Sequence, residues 1–257
     1  MIHHTFSILQ GIGDRTERDL WSRGLLTWDD FRSAPSVRGL SASRKDWYDT
    51  LLARAAEHLE AGDADYFGRL MSTGDHWRLF DAFRGRVVCL DIETSGLSPD
   101  AGGYVTMVGL YDGSEFTALT RGRDLSAESV MERLDGCGLL VTFFGASFDV
   151  PFLLKTLPGV EFAMPHFDLC FGARRIGMKG GLKKIEPLFG IERGAETEGM
   201  DGYDAVRLWQ QGTPEAIDKL IAYNREDTVN LMTIAPVLYE RLRESTGILE
   251  HLSGGRA

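Results

Sequence analysis

Asp91 and Glu93 in LDIETSGL, Asp149 in FFGASFDVPFL and Asp227 in YNREDTVNL place four carboxylates in three short motifs, each opening or ending a hydrophobic stretch. Carboxylate oxygens that converge from distant parts of a chain are hard-cation ligands, suited to Mg²⁺ or Mn²⁺. Zn²⁺ fits less well, because the set contains no Cys or His. Two such cations side by side can activate a water and stabilise a leaving oxygen, the chemistry of metal-assisted hydrolysis. Asp91 and Glu93 are two apart on an alternating segment, so both leave one face of a strand. They stand at its C-terminal end, where open α/β sheets place their chemistry. Tyr223 and Asp227 are four apart in a helical segment and share a face with Leu220 and Leu231, which turns them inward. An unpaired carboxylate on an inward stripe is costly, and a metal would supply its partner. Each motif alone has a plainer reading: a solvated strand end for Asp91 and Glu93, a helix N-cap for Asp149, a core tyrosine for Tyr223. Taken in order, the three point to a metal site.

The elements that must position these residues are legible from periodicity. Residues 1–80 read as helical, with a short helix over Thr16 to Arg23 and a longer one over Arg44 to Ala61. In the longer helix Trp47, Leu51, Ala55 and Leu59 form the expected apolar stripe, and Gly62 stops it. Tyr66 to Phe83 reads as a helical connector. From Arg86 the period changes to two and a strand carries Asp91 and Glu93. Val105–Tyr111 and Glu115–Leu119, joined at Asp112-Gly113, read as a hairpin with a two-residue turn. A helix over Glu128–Leu134, a strand over Gly138–Phe143 and a helix over Phe148–Leu157 follow, with Pro151 tolerated in that helix's first turn. Helices are expected again at Leu182–Phe189, Tyr203–Gln211 and Pro214–Leu242. The fold class is α/β, a mixed sheet flanked by helices and preceded by a small helical domain. The boundary falls between residues 80 and 81, with every acid of the constellation after it, so residues 81–257 are expected to fold as their own unit.

At 257 residues and 43% hydrophobic content, the chain can build one large domain and a small one. No apolar run is long enough to span a bilayer, and the N-terminus lacks the pattern of a secretory signal. Cys89, Cys137 and Cys170 are widely spaced without CxxC, and read as reduced core residues of a cytoplasmic protein. The formal net charge of -10 disfavours a broad nucleic-acid-binding face. The excess acid lies after residue 80, where four of the acids would be neutralised by metal. The charge thus leaves the partner open and implies weak, salt-sensitive binding.

The order DxE, then FD opening a helix, then YxxxD resembles the DEDD (DnaQ-like) 3′–5′ exonuclease superfamily with its ribonuclease H-like fold. The tyrosine of the last motif places it in the tyrosine subgroup; the histidine subgroup would need His where Ala222 stands. ETSGL, GASFDVPFL, HFDL, GGLKKIEPLFGIER and YNREDTVNL together look like the YprB-type proteins, over roughly residues 84–240. The resemblance implies two divalent cations. Asp91 would bridge them, Glu93 and Asp227 would complete one site, and Asp149 would hold the other. Tyr223 would orient the attacking water rather than take its proton, given an ordinary phenol pKa of ~10. It implies release of 5′-mononucleotides from nucleic-acid 3′ ends; single-stranded DNA, with DNA repair as the setting, is favoured by the helix-hairpin-helix-like N-terminal segment described below. An exoribonuclease and a non-catalytic nucleic-acid-binding adaptor on the same fold are the alternatives. Thr94, Phe144, Phe148 and Lys183 are the expected substrate contacts. Relatives usually carry Asn at the position of Phe144; its replacement either loses an amide contact or offers a ring on which a base stacks.

Secondary signals stay open at this level. Asp168 in HFDL could hydrogen-bond structurally or assist the metals, and His166 reads as its structural neighbour. LQGIGDRTERDLWSRGLLTWDDF resembles a helix-hairpin-helix element. In it Gly11 and Gly13 would shape a phosphate-binding turn and Arg15 and Arg18 would face the backbone. The same segment could equally be plain packing, with Trp21, Trp28, Phe31 and Trp47 as its core. Lys183 and Lys184 are either a solvated helix start or a phosphate clamp.

Overall fold

The computed structural model describes residues 1–253. Its centre is a five-stranded sheet of order β3-β2-β1-β4-β5. The strands are β1 (Val87–Thr94), β2 (Val105–Tyr111), β3 (Phe116–Thr120), β4 (Leu139–Thr142) and β5 (His166–Asp168). β1, β2 and β3 pair antiparallel, whereas β4 and β5 run parallel to β1. This is the mixed α/β sheet that the sequence implies. The β2–β3 connection differs from the expected two-residue turn. Asp112 Oδ1 accepts the N–H groups of Ser114 and Glu115, both at 2.8 Å, and so closes a longer loop around Gly113. The aspartate side chain thus takes over the turn's hydrogen bonding.

Helices cover both faces. Val88, Leu90 and Ile92 pack with α5 (Ala127–Leu134) and α6 (Asp149–Thr156) through Val130, Leu134, Phe152 and Leu153. Val87 and Cys89 face the opposite layer, dominated by α10 (Pro214–Ser245) with α7 (Leu169–Arg175) beside it. α8 (Leu182–Ile185), α9 (Gly202–Gln211) and α11 (Ile248–Ser253) complete this side. All three cysteines are buried and free. Among the described residues no helix is long and apolar enough to cross a membrane.

Residues 1–80 form α1 (Asp14–Ser22), α2 (Trp28–Ser33), α3 (Ala42–Glu60) and α4 (Ala64–Leu70), then a 3-10 segment at Thr73–Leu79. Trp21, Trp28 and Phe31 are buried as expected, but Trp47 is exposed. The buried face of α3 is Lys45, Tyr48, Leu52 and Ala55: Ala55 is as expected, but Tyr48 and Leu52 replace Trp47 and Leu51, because Tyr48 reaches the Gln10 carbonyl (2.6 Å) and the Phe31 ring.

One hydrophobic cluster runs from Phe6, Trp21 and Phe67 through Trp77 and Phe80 to Phe167, Tyr239 and Leu242. Phe80 lies 5.4 Å from the Tyr239 ring and 6.2 Å from the Phe167 ring, centroid to centroid. The fully buried Arg78 guanidinium binds Glu17 at 2.9 Å and Asp75 at 3.2 Å, and Arg175 of α7 pairs with Asp14 at 3.1 Å. These contacts lead to a new expectation for a protein shortened to residues 81–257. Removing Trp77 and Phe80 uncovers Phe167 and Tyr239, and large core truncations each cost about 3–5 kcal/mol. The shortened chain should lose cooperative unfolding or melt far below the full chain by calorimetry. Equal melting of the two would instead establish an autonomous unit.

Candidate active site

The alternation of β1 decides what its acids face. With Val88, Leu90 and Ile92 turned to α5 and α6, Asp91 and Glu93 continue the side turned to α10. The strand irregularity between Glu93 and Thr94 ends the regular pairing with β2 at this point. From α10 come Tyr223, Asn224, Asp227 and Thr228, all buried among Leu220 and Leu231. One carboxylate oxygen from each of Asp91, Glu93 and Asp227 lies within 4.8 Å of the others. Asp149 stands beside this trio and not within it. It is the first residue of α6, and Phe148 holds the N-cap position without a side-chain cap bond. The expected capping role gives way to a contact with the strand: Asp149 Oδ1 accepts the Ile92 N–H at 3.1 Å. Its charge is the strongest charged influence on Asp91.

Neighbours that the motifs did not single out hold the acids in place. Asn224 Nδ2 donates to Asp91 Oδ2 at 2.9 Å. The amide fits because Gly109 stands opposite Asp91 on β2; a Cβ there would lie 2.0 Å from Asn224 Oδ1 and 2.5 Å from Thr228 Oγ1. Arg193 donates to Asp227 Oδ1 and is itself gripped by buried Glu186, with two contacts of 2.7 Å. Asn230 adds a 2.8 Å bond to the same glutamate. Lys183 Nζ donates to the Tyr223 hydroxyl at 2.5 Å. The GIER and YNRED stretches that carry Arg193 and Asn224 were visible in the sequence, but only as motif text without a role.

Burial sets the electrostatics. It raises Asp91 well above the usual carboxylate range, with Asp149, Asp227 and Glu93 adding to the rise. Burial, then Asp227, pushes Glu93 up to about 8, although Asn224 opposes this. Burial also pushes Asp149 up to about 7 against hydrogen bonds from the backbone. Asp227 is raised by burial and drawn back by Arg193. Tyr223 is raised too, by burial and then by Asp227, Glu93 and Asp91, so its hydroxyl keeps its proton. Crowded, desolvated carboxylates with a purely oxygen donor set are what a hard divalent cation requires. The residues present therefore fit such an ion.

The remaining expected residues divide between sites. Thr94 and Phe148 line a cavity of about 670 Å³ with Leu97, Pro99, Tyr203 and Val206. Phe144 opens instead onto a separate groove of about 610 Å³. Asp168 is structural: its carboxylate accepts the N–H groups of Phe144, Ala146 and Cys170 at 2.9–3.0 Å, and more weakly that of Phe171. His166 bonds Thr142 Oγ1 at 2.7 Å and burial lowers it to about 4. Gly11 adopts φ +87° and Gly13 precedes α1, as a tight turn requires. Arg15 and Arg18 are exposed there, and Arg18 borders a cleft with Asp14, Glu17, Arg78 and Arg175, away from the four acids.

A family model of the RNase_H superfamily (RNase_H_2) matches residues 88–239, and the chain belongs to this superfamily. Among solved structures it is similar to the family B DNA polymerase of the hyperthermophilic archaeon Pyrobaculum calidifontis, with TM-score 0.47 and 18% identity. That match covers 62% of this chain and 25% of the polymerase. It is also similar to the catalytic core of RRP6 from Trypanosoma brucei, with TM-score 0.47 and 13% identity, over 72% of this chain and 50% of that one. The chain thus spans at most half the length of either. No curated protein matches it.

The raised carboxyls make a pH signature. Glu93 at about 8 and Asp149 at about 7 lie above the ~4 of an unfolded chain, so the folded, metal-free protein holds protons that the unfolded chain has released. Their contribution to stability is full below about pH 4 and is lost as pH rises through 7–8. In EDTA the melting temperature should fall between pH 5 and pH 8, and added Mn²⁺ should raise it most at pH 8. A pH-independent melting temperature with no response to Mn²⁺ would contradict this account of the cluster.

Proposed function

We propose that this chain is a metal-dependent 3′–5′ exonuclease that trims single-stranded DNA and releases 5′-mononucleotides, in the service of DNA repair. The observation that carries the reading is the meeting of Asp91, Glu93 and Asp227 oxygens within 4.8 Å, with Asp149 and Tyr223 adjoining. The full set of motif acids with the tyrosine favours a DEDD-type, YprB-like enzyme over a non-catalytic adaptor.

Asp91, Glu93 and Asp227 would hold one Mg²⁺ or Mn²⁺, and Asp91 with Asp149 a second. Such cations, when bound, lower the pKa of a water and offset charge on the phosphoryl oxygens. The chain's own groups do the rest. Tyr223, protonated and held by Lys183, presents a hydroxyl that orients the water or a phosphate oxygen. The Lys183 ammonium adds positive charge where the scissile phosphate would lie. Leu97, Phe148 and Tyr203 give the adjoining cavity the apolar walls that a terminal nucleoside needs.

The test is cleavage of matched 5′-labelled single-stranded DNA, duplex DNA and RNA with Mg²⁺ or Mn²⁺. A ladder shortening from the 3′ end of single-stranded DNA is expected, abolished by EDTA and by Asp91→Asn. Tyr223→Phe should slow turnover about 100-fold, the order of loss for a misplaced reacting group, while Mn²⁺ affinity by calorimetry stays unchanged. Faster trimming of RNA would replace the substrate; full activity of Asp91→Asn would remove the mechanism.

A further inference from the structure

Phe144 is the single non-glycine among the described residues with positive φ, at +69°. For a bulky side chain that region is strained, and such strain persists only where surrounding bonds over-determine it. Here they do. Asp168 takes the N–H groups of Phe144 and Ala146, both at 2.9 Å, and Thr142 Oγ1 takes that of Gly145 at 3.1 Å. The turn that results does not bury the ring: Phe144 is 40% exposed. Phe171, 42% exposed, lies 6.0 Å from it and tilted by 40°. At that spacing no base fits between the rings; Phe144 faces the groove, and Phe171 borders it from the neighbouring cavity.

Cations surround this surface. The Arg174 guanidinium lies 5.5 Å from both ring centroids. Phe143, Arg174, Lys179 and Leu182 line the groove with Phe144, and no acid does, in a chain of net charge -10. Arg175, the next residue, is paired with Asp14 and Asp75, whereas Arg174 and Lys179 have no acidic partner among the described residues. Consecutive residues of α8 tie the groove to the neighbourhood of the acids. Leu182 lines it, and Lys183 reaches the Tyr223 hydroxyl. The 144–149 loop divides the two cavities, with Phe144 on one side and Ser147 and Phe148 on the other.

We infer that this groove is a second nucleic-acid subsite. An unpaired base of the substrate strand, 5′ to the scissile bond, stacks on Phe144, which Phe171 backs, and Arg174 and Lys179 bind its flanking phosphates. The inference rests on the exonuclease reading and deepens it. Aromatic stacking accepts any base and requires it to be unpaired, which selects single strands. Free cations beside the rings supply the phosphate contacts that the rest of an acidic surface withholds.

The test measures binding of fluorescent oligothymidylates of three and twelve nucleotides to the full-length Asp91→Asn protein with Mg²⁺, across a KCl series. Phe144→Asn should raise the melting temperature, because Asn adopts the left-handed region readily, and still weaken the twelve-mer about tenfold. The trinucleotide, too short to span both cavities, should lose far less. Arg174→Gln with Lys179→Gln should reduce the salt slope for the twelve-mer by about 1.4. If both variants bind the twelve-mer like the parent, or lose both lengths equally, the subsite is wrong while the exonuclease reading stands. If the parent binds neither length and wild type cleaves nothing, both fall together.

Discussion

The burial of crowded carboxylates is the constraint around which this molecule is organised. Asp91, Glu93 and Asp227 would separate if their backbones allowed it. They cannot, because β1 is the middle strand of the sheet and α10 is a 32-residue helix whose inward residues are almost all buried. Apolar packing along the rest of α10, through Leu231, Ile234, Leu238 and Leu242, sustains the electrostatic cost concentrated at its first half. Local partners reduce that cost without abolishing it. Asn224 donates to Asp91, and Arg193 offsets Asp227 while Glu186 keeps the guanidinium aimed. The free energy still unrecovered is what a bound cation supplies.

The N-terminal helices enter the same economy from behind. Through Trp77, Phe80 and the Arg78–Glu17 pair they press on Tyr239 and Phe167, residues of α10 and β5. β5 ends in Asp168, which pins the loop leading to Asp149. A packing contact made early in the chain is therefore two steps away from the loop that shapes the substrate face.

The strand spacing of Asp91 and Glu93 and the helix spacing of Tyr223 and Asp227 were legible from their periods, and the fold brings oxygens of Asp91, Glu93 and Asp227 together. The sheet was legible too, except β5: three residues give no alternation to read. The longer helix of the N-terminal region was found with the wrong stripe. Trp47 and Tyr48 are adjacent aromatics, and only the tertiary contact of Tyr48 with Gln10 decides which one turns inward. The hairpin loop was misjudged because Asp112 can bond its own turn as well as sit in one. Asn224 and Arg193 gave no signal, since a polar residue in a helix or loop looks the same whether it faces water or an acid. Phe144 announced itself as an unusual residue, but its left-handed backbone belongs to the fold alone.

Gly109 carries no functional atom, yet it sets a limit on this hairpin. Every substitution there adds at least a Cβ, and that carbon would fall 2.0 Å from the Asn224 side-chain oxygen. The Asn224 amide would have to leave its place beside Asp91, or β2 and α10 would have to part. A substitution here would therefore disturb the Asn224–Asp91 hydrogen bond while leaving every acid in the sequence. The bare backbone at this point is as much a part of the site as the acids it adjoins.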